Sequence, residues 1–310
     1  MTRAIILDLT VGSSLSVAEA LEVAAVARDT GVAAIRLLDG GPDEVLDATA
    51  VAAYLAGRLP ELSWIVDAPT THNAPYNLAR RVLSLDRATA GRSGLALRAG
   101  DGDEVSEATV PDRTATARPG RWAEYAGILT GLWESFPAAA LLGDQTTGVF
   151  AEDTLITPIG HEGRYYCVAG PLDGPPSPQG RPVLVADSRD GLDWPDVAGL
   201  ADAVIITEAQ ASEATARLTE ALGRTGRQRA GISVLGRVEL PTSVADAERI
   251  ATELADWAAR HAFDGLALVP TGGKEQILSA LRGLVPQLEP LSGETLRAAL
   301  GLPELVGAAS

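Results

Sequence analysis

The sequence contains little sulfur and few histidines, and this scarcity excludes several kinds of site. Cys167 is the only cysteine, so the chain forms no internal disulfide and carries no CxxC metal motif. The three histidines, His72, His161 and His261, lie far apart in the sequence, and none belongs to an HExxH pair. We therefore do not expect a zinc site built from the chain's own residues.

The sequence also lacks long apolar runs and an excess of positive charge. No apolar run approaches the roughly 20 residues that span a bilayer, and the N-terminus MTRAIILDLT leads into a strand-like segment without the layout of a signal peptide. The net charge of −16 argues against nucleic acid or an anionic membrane as a partner. We expect a cytoplasmic protein that binds neither.

Short apolar runs alternate with helical patterns along most of the 310 residues. The first run, AIILDL at 4–9, lacks alternation of apolar and polar residues, as expected for a strand that is buried on both faces. Ser16 is placed to cap the helix that follows. Seven further runs are predicted as strands, at 33–39, 62–68, 93–99, 181–187, 202–207, 231–238 and 264–270.

Strand–helix units in this order form either a doubly wound sheet or a closed barrel. Eight evenly repeated units favour the barrel, for which about 250 residues is typical. We predict an α/β protein, a (β/α)8 TIM barrel that forms a single domain over residues 1–310. The segment at about 137–180 breaks the repetition and is predicted as an inserted hairpin and a Pro/Gly-rich loop before the fifth barrel strand.

Active sites of such barrels lie at the carboxyl ends of the strands. His72 follows the third strand, beside Thr70 and Thr71 and one turn before Tyr76. Hydrogen-bonding groups that converge there are suited to hold the polar edge of a ring-shaped cofactor or substrate; the alternative is a loop histidine bonded to backbone groups. Asp39, after the second strand, is placed either to accept hydrogen bonds from a ligand or to cap the next helix.

No short motif identifies a reaction. GxSxG, the Walker loop and the Rossmann fingerprint are all absent. Thr271, Gly272 and Gly273 open the last barrel helix and offer backbone N–H groups to a phosphate, but so short a glycine pair is also typical of an ordinary turn. The residues alone predict a barrel with a polar mouth and no evident acid–base pair.

Two longer segments resemble those of a known family. One is APTTHNAPYNLARRVLSLDRATAGRSG at 68–94, and the other, at 148–185, includes HEGRYYCVAGPLDGPPSPQGRPVLV. Both are similar to signature stretches of the bacterial-luciferase-like superfamily of flavin-dependent monooxygenases, in its nitrilotriacetate and dibenzothiophene-sulfone monooxygenase branch. The resemblance continues in the same order along nearly the whole chain, to TLRAALGLP at 295–303.

The resemblance implies a cofactor, a partner and several site residues. Members of this family bind reduced FMN, usually supplied by a separate flavin reductase, and use it with O2 to oxidise a small organic substrate; many are homo-oligomers. By resemblance, Asp39 and Thr70 or Thr71 match positions that contact flavin, and Ser188 and Arg189 lie in the loop that receives its phosphate. His72 and Tyr76 are the candidate catalytic residues.

His161 falls on the HxGxxY motif of the insertion. By resemblance it is placed either to fold over the barrel mouth and touch substrate or to support the insertion structurally. Both interpretations stay open at this point.

The chain departs from the family at the expected cofactor site. Relatives read like GWNxVTS along strand four, whereas residues 94–100 read GLALRAG and lack the polar groups that face flavin. Relatives continue strand five as QAGxS, whereas residues 186–190 read ADSRD. Two carboxylates beside a phosphate dianion would repel it unless Arg189 compensates. The loop after strand one, long in relatives, is only TVGSS at 10–14.

Three hypotheses follow. The chain is a flavin-dependent monooxygenase, with FMN bound weakly or in a different place; or it is a barrel that has lost flavin and acts as a binding, regulatory or subunit partner; or it uses deazaflavin or performs chemistry without a cofactor. Substrate identity lies in loops that the sequence does not place in space.

Overall fold

Eight parallel strands close into a barrel in the computed structural model, which describes residues 3–12, 15–39, 46–101, 110–241 and 245–305. The barrel strands are β1 (Ala4–Leu9), β2 (Ala34–Leu37), β3 (Ser63–Pro69), β4 (Ser93–Arg98), β9 (Val183–Asp187), β10 (Ala203–Thr207), β11 (Ser233–Leu240) and β12 (Gly265–Pro270). They pair in the order β1-β2-β3-β4-β9-β10-β11-β12, and β12 closes on β1. The predicted (β/α)8 barrel is confirmed, and the first strand has the predicted bounds.

Helices lie between the strands. They are α1 (Val17–Asp29), α2 (Ala48–Ala56), α3 (Pro75–Ala88), α4 (Arg118–Glu134), α5 (Trp194–Leu200), α6 (Ala211–Thr225), α7 (Ala247–Arg260), α8 (Lys274–Gly283) and α9 (Leu296–Ala299). Ser16 caps α1 as predicted, because its hydroxyl accepts from the Glu19 N–H and the Glu19 carboxylate accepts from the Ser16 N–H. None of the described helices is long and apolar enough to cross a membrane.

The lower barrel interior is filled by small and branched side chains, with α9 beneath them. Leu296, Leu300 and Leu302 pack into the same apolar cluster as the inward-facing residues of the strands. Gly94 makes room for this contact, since a Cβ there would lie 2.8 Å from Leu296 Cδ2. The amino ends of the strands are thereby closed, and the carboxyl ends are left for a site.

The insertion forms two hairpins rather than the single one predicted. They consist of β5 (Leu141–Asp144) with β6 (Val149–Ala151), and β7 (His161–Glu162) with β8 (Cys167–Val168). The Pro/Gly-rich loop that follows is tied to the end of α3, because Gln179 Nε2 donates to Asp86 Oδ1 at 2.9 Å and the Ser177 hydroxyl donates to the same carboxylate. These strands have only two to four residues, too few for a clear periodicity.

Candidate functional site

Six charged side chains form a ring on the inner wall of the barrel, near the carboxyl ends of the strands. Each follows, by two residues, a side chain of the interior apolar cluster, so each is on the inward face of its strand. In the order of the strands around the barrel they are Asp8, Arg36, Asp67, Arg98, Asp187 and Arg237. Their charges alternate in sign from strand to strand, interrupted only by Thr207 on β10 and Val269 on β12.

Arg36 is the centre of this charged ring and is completely buried. Its Nε and Nη2 donate to the two carboxylate oxygens of Asp67 at 2.6 and 3.1 Å, and its Nη1 donates to Asp187 Oδ2 at 3.0 Å. Since β2 and β9 are three positions apart in the barrel, the Arg36 side chain reaches across the lumen. A buried guanidinium is tolerated here because two carboxylates neutralise it and fill its hydrogen bonds.

A second layer of ion pairs covers Arg36. Arg98 donates to both oxygens of Asp190 at 2.9 and 2.8 Å and to Asp67 at 3.3 Å. Arg189 donates to both oxygens of Asp187 at 2.9 and 2.6 Å. Burial alone would raise the pKa of Asp187, but the hydrogen bond from Arg189 and the charges of the arginines around it hold that pKa below its usual range.

Asp8 completes the ring on β1. Its Oδ2 accepts from Arg237 Nη1 at 2.7 Å and lies 3.8 Å from Arg36 Nη1. Its Oδ1 is buried without a hydrogen-bond partner among the residues that the structure describes. Burial raises the pKa of the Asp8 carboxyl above its usual range, although the charges of Arg36 and Arg237 act in the opposite direction.

The predicted flavin-contact residues Thr70 and Thr71 are buried at the end of β3. Thr70 Oγ1 accepts from the Gly100 N–H at 3.1 Å, and the Thr70 carbonyl accepts from the Tyr166 hydroxyl at 3.3 Å. A Cβ on Gly100 would lie 2.5 Å from Thr71 Oγ1. Thr70 therefore holds the loop after β4, and Thr71 packs against it. Their contact with a cofactor stays a prediction, as does that of Asp39, which is exposed two residues after β2.

His72 and Tyr76 line different cavities. His72 is exposed, has a left-handed backbone (φ 57°), and borders a cavity of about 380 Å3 beside α3. Tyr76 is half-buried and borders a cavity of about 550 Å3 between α3 and the segment around β8. Asn73 and Ala74 are shared by the two cavities. The structure therefore does not bring the two candidate catalytic residues together in one pocket, and their catalytic role stays a prediction.

His161 lies on β7 and contacts Glu124 of α4, with 3.1 Å between Nε2 and Oε1. The Glu124 carboxylate also accepts from the backbone N–H groups of Arg164, Tyr165 and Tyr166 at 3.0, 3.0 and 2.8 Å. It thus anchors the turn of the second hairpin to the barrel. This geometry favours the structural interpretation of His161, and contact with substrate stays a prediction.

The resemblance predicts that the loop after β9 receives the FMN phosphate, and the residues of that loop do not fit the group. The Ser188 hydroxyl donates to Gln210 Oε1 at 2.7 Å, and Arg189 is neutralised by Asp187. Asp190 is held by Arg98 and by the Ala99 N–H at 3.2 Å. The anticipated compensation by Arg189 is thus present, but its guanidinium serves Asp187 and would have to leave it to bind a phosphate.

The charges of the ring and of the β9 loop cancel one another, which also disfavours an FMN phosphate at this position. Four arginines face four aspartates in the charged ring and the β9 loop together: Arg36, Arg98, Arg189 and Arg237 with Asp8, Asp67, Asp187 and Asp190. A phosphate dianion would bring two uncompensated negative charges to a network that is already neutral. The complete burial of Arg36 also shows that the lumen is closed above it.

Sequence reasoning did not identify the roles of Asp8, Arg36, Asp67 and Arg237. Arg237 shares its strand with the exposed Glu239, whereas Asp8, Arg36 and Asp67 are each the single charged residue of an otherwise apolar strand segment, as in AIILDL and AIRL. That placement is the signal that was available, because a charge on a strand buried on both faces requires a partner.

The fold and the position of this charged ring are those of an α/β barrel whose site lies at the carboxyl ends of its strands. The model of the luciferase-like monooxygenase family matches residues 6–296, and the chain belongs to that family. The resemblance noted from the two signature segments is thereby confirmed.

Relatives and solved structures agree with this assignment. The chain is 27% identical to one of the subunits of pristinamycin IIA synthase from Streptomyces pristinaespiralis, over 83% of this chain and 77% of the relative. It is 28% identical to nitrilotriacetate monooxygenase component A of Aminobacter aminovorans, over 68% of this chain but only 48% of the relative. It thus spans about half the length of that second relative.

Two solved structures share the fold over nearly their full length. The EDTA monooxygenase of Chelativorans sp. BNC1 superposes with a TM-score of 0.79 at 20% identity, covering 98% of this chain and 99% of that one. A long-chain alkane monooxygenase superposes with a TM-score of 0.82 at 15% identity, covering 97% and 95%. At these identities the likeness concerns the fold.

Proposed function

We propose that this chain is a luciferase-like barrel without a flavin site of its own, and that it serves a flavin-dependent monooxygenase as a non-catalytic subunit. The observation that carries the proposal is the neutral ion-pair network at the barrel mouth, centred on the buried Arg36. To bind FMN there, the chain would have to break buried ion pairs, and each buried charge left unpaired costs several kcal/mol of free energy.

The remainder of the barrel supports a subunit role. Eight strands and the helices around them are present, so the chain keeps the family's scaffold, with outer helix surfaces available to a partner, while ion pairs fill its mouth. The pristinamycin IIA synthase relative is, by its name, one part of a larger enzyme. Loss of the cofactor seat without loss of the scaffold is consistent with selection on those surfaces.

A second candidate function is that of the family itself. In it, the chain binds reduced FMN from a separate flavin reductase and acts with O2 on a small organic substrate. It is favoured by Thr70 and Thr71, which are retained at the end of β3, and by the family match over residues 6–296. The network would then have to open at Arg189, whose side chain is 34% exposed.

Titration with FMN distinguishes the two candidate functions. Purified protein is titrated with oxidised FMN, followed by flavin fluorescence, and with reduced FMN under anaerobic conditions. We expect no saturable binding up to about millimolar FMN, the range where binding energy is only about 4 kcal/mol. Micromolar affinity for either form would refute the flavin-free subunit and support the monooxygenase. Near-ultraviolet circular dichroism of the same sample verifies that the protein is folded.

A further inference from the structure

The cavity of about 550 Å3 that Tyr76 borders lies between the start of α3 and the second hairpin of the insertion. It shares no described residue with the charged ring or with the β9 loop. Of the ten described residues that line it, none carries a charge, although charged residues make up 21% of the chain. A volume of about 300–1,000 Å3 and a mostly apolar lining are typical of small-molecule sites. The cavity is therefore suited to a small neutral ligand.

The two walls of this cavity are held in place by the buried Tyr125. On one side, the Tyr125 ring meets the ring of Tyr166 edge-on, with 5.2 Å between the centroids. On the other side, the Tyr125 hydroxyl donates to the Asn73 carbonyl at 3.0 Å, just before α3 begins. Tyr166 is fixed further, because its hydroxyl donates to the Thr70 carbonyl at 3.3 Å. The cavity is therefore formed before a ligand binds, which lowers the entropic cost of binding.

Tyr76 supplies a ring and a hydroxyl group to the lining of the cavity. The residue is half-buried and packs against the main apolar core, and its hydroxyl makes no hydrogen bond to the described residues. The Asn73 side chain, by contrast, donates to two backbone carbonyls and accepts from Arg81 at 2.6 Å. Besides the weakly polar Cys167 thiol, the Tyr76 hydroxyl is thus the side-chain group left to bind a ligand in this cavity.

We propose that this cavity binds a small, neutral aromatic alcohol. The ligand ring packs against the rings of Tyr76 and Tyr166, and its hydroxyl bonds to the Tyr76 hydroxyl, since each of the two groups can both donate and accept. A charged ligand is disfavoured, because no charge in the described lining would offset the cost of removing it from water. This inference does not rest on the proposed subunit function, because neither FMN nor the charged ring takes part.

Cys167 makes occupancy of the cavity measurable. It is the only cysteine of the chain, it is exposed, and it belongs to the lining. Iodoacetamide, a small neutral reagent, alkylates the thiolate at this one position, and a ligand in the cavity should slow the reaction. The alkylation rate therefore reports where the ligand binds, and isothermal titration calorimetry of the same sample gives its affinity. The reaction of glutathione with iodoacetamide, with and without ligand, verifies that the reagent itself is unaffected.

Three probes that share one ring system test the proposal: 1-naphthol, naphthalene and 1-naphthoate. We expect 1-naphthol to slow the alkylation of Cys167 saturably, with a dissociation constant of about 0.1 mM or below. 1-Naphthoate, an anion near neutral pH, should bind at least about tenfold more weakly. Naphthalene should bind about threefold to tenfold more weakly, because it lacks the hydroxyl group. In Tyr76→Phe, the preference for 1-naphthol over naphthalene should disappear.

Ala169→Phe fills the cavity from an exposed position of its lining and should weaken the binding of 1-naphthol at least about tenfold. Ala216→Phe, on the exposed face of α6, is the matched control and should leave the affinity unchanged. Circular dichroism verifies that both variants fold.

Four outcomes would overturn the proposal. The first is no saturable binding of 1-naphthol up to its solubility limit, and the second is equal binding of 1-naphthoate. The third is an unchanged affinity in Ala169→Phe, which would place the ligand elsewhere. The fourth is a preference for 1-naphthol over naphthalene that survives in Tyr76→Phe, which would contradict the assigned hydrogen bond.

Discussion

The Arg36 guanidinium binds the Asp67 carboxylate through two hydrogen bonds, of 2.6 and 3.1 Å, in the barrel interior, where both side chains are completely buried. The two strands that carry these residues are adjacent, and Arg36 continues to Asp187 on the far side. The pair therefore ties three strands together at the level where a barrel enzyme of this family would leave space for its ligand.

Removing the cation alone should be costly. Arg36→Met leaves Asp67 and Asp187 with one buried partner fewer, and we expect a loss of about 3–5 kcal/mol in the free energy of unfolding. The double variant Arg36→Met, Asp67→Leu removes both charges of the pair and should recover part of that loss. Urea unfolding followed by tryptophan fluorescence measures both. Arg164→Met, which breaks an exposed pair with Asp112, is the control and should change little. A loss below about 1 kcal/mol for Arg36→Met would show that the network is not held together as described.

Restoring the family pattern after β9 should restore anion binding. Asp187→Gly with Asp190→Ser removes the carboxylate paired with Arg189 and one of the two that hold Arg98, so the Arg189 guanidinium and part of that of Arg98 become available to a phosphate. We expect FMN and inorganic phosphate to bind at least about tenfold more tightly than to the parent chain, an energy of about 1.4 kcal/mol. Isothermal titration calorimetry measures both ligands. The single variant Asp190→Ser, which keeps the pair of Arg189 with Asp187, should gain less. Unchanged affinity in a folded double variant would show that repulsion by the two carboxylates does not explain the expected absence of FMN binding.

The barrel itself could be predicted from the sequence because each strand is a continuous apolar run. AIILDL is buried along its whole length, and burial on both faces is what the absence of alternation indicates. Boundaries were less exact: the second strand runs from Ala34 to Leu37, within the predicted 33–39.

The ion-pair network could be predicted only in part. The carboxylates Asp187 and Asp190 stood out as departures from the family pattern, and Arg189 was available as a neighbour in sequence. Arg36 is 151 residues from Asp187 in sequence, and only the closure of the barrel brings them within 3.0 Å. A single sequence contains no information on such a distance, so the compensation by Arg36 and Arg98 could not be derived from it.

Asp86 should give the chain a pH-dependent stability. Burial raises the pKa of its carboxyl to about 6, well above the usual range, despite hydrogen bonds from Ser177, Ser93 and Gln179. Between about pH 4 and pH 6 the folded state keeps a proton that the unfolded state has released, so the free energy of unfolding falls as the pH rises through this window and levels off above it. The loss is at most about 3 kcal/mol.

Asp86→Asn tests this assignment, because asparagine cannot ionise. Relative to the parent chain, the variant should gain stability progressively from about pH 4 to pH 6 and keep that gain at higher pH. Ser177→Ala removes a hydrogen bond that lowers the pKa of Asp86. In this variant, the pH range over which the free energy of unfolding falls should therefore extend to higher pH. Urea unfolding at closely spaced pH values gives both differences. A difference between Asp86→Asn and the parent that stays constant across the window would contradict the raised pKa.

The Glu124 carboxylate should control how firmly the second hairpin is held. It accepts three backbone N–H groups at the turn, from Arg164, Tyr165 and Tyr166, and hydrogen bonds to a charged acceptor contribute about 1.5–3 kcal/mol. Glu124→Ala should therefore increase the rate of trypsin cleavage after the exposed Arg164 at least about tenfold, because cleavage requires local opening. Mass spectrometry identifies the cut among the other arginines. His161→Ala leaves the three backbone bonds intact, so trypsin should cleave this variant nearly as slowly as the parent chain. Equal acceleration in both variants would mean that the bond between His161 and Glu124 holds the hairpin, rather than the carboxylate acting on the turn.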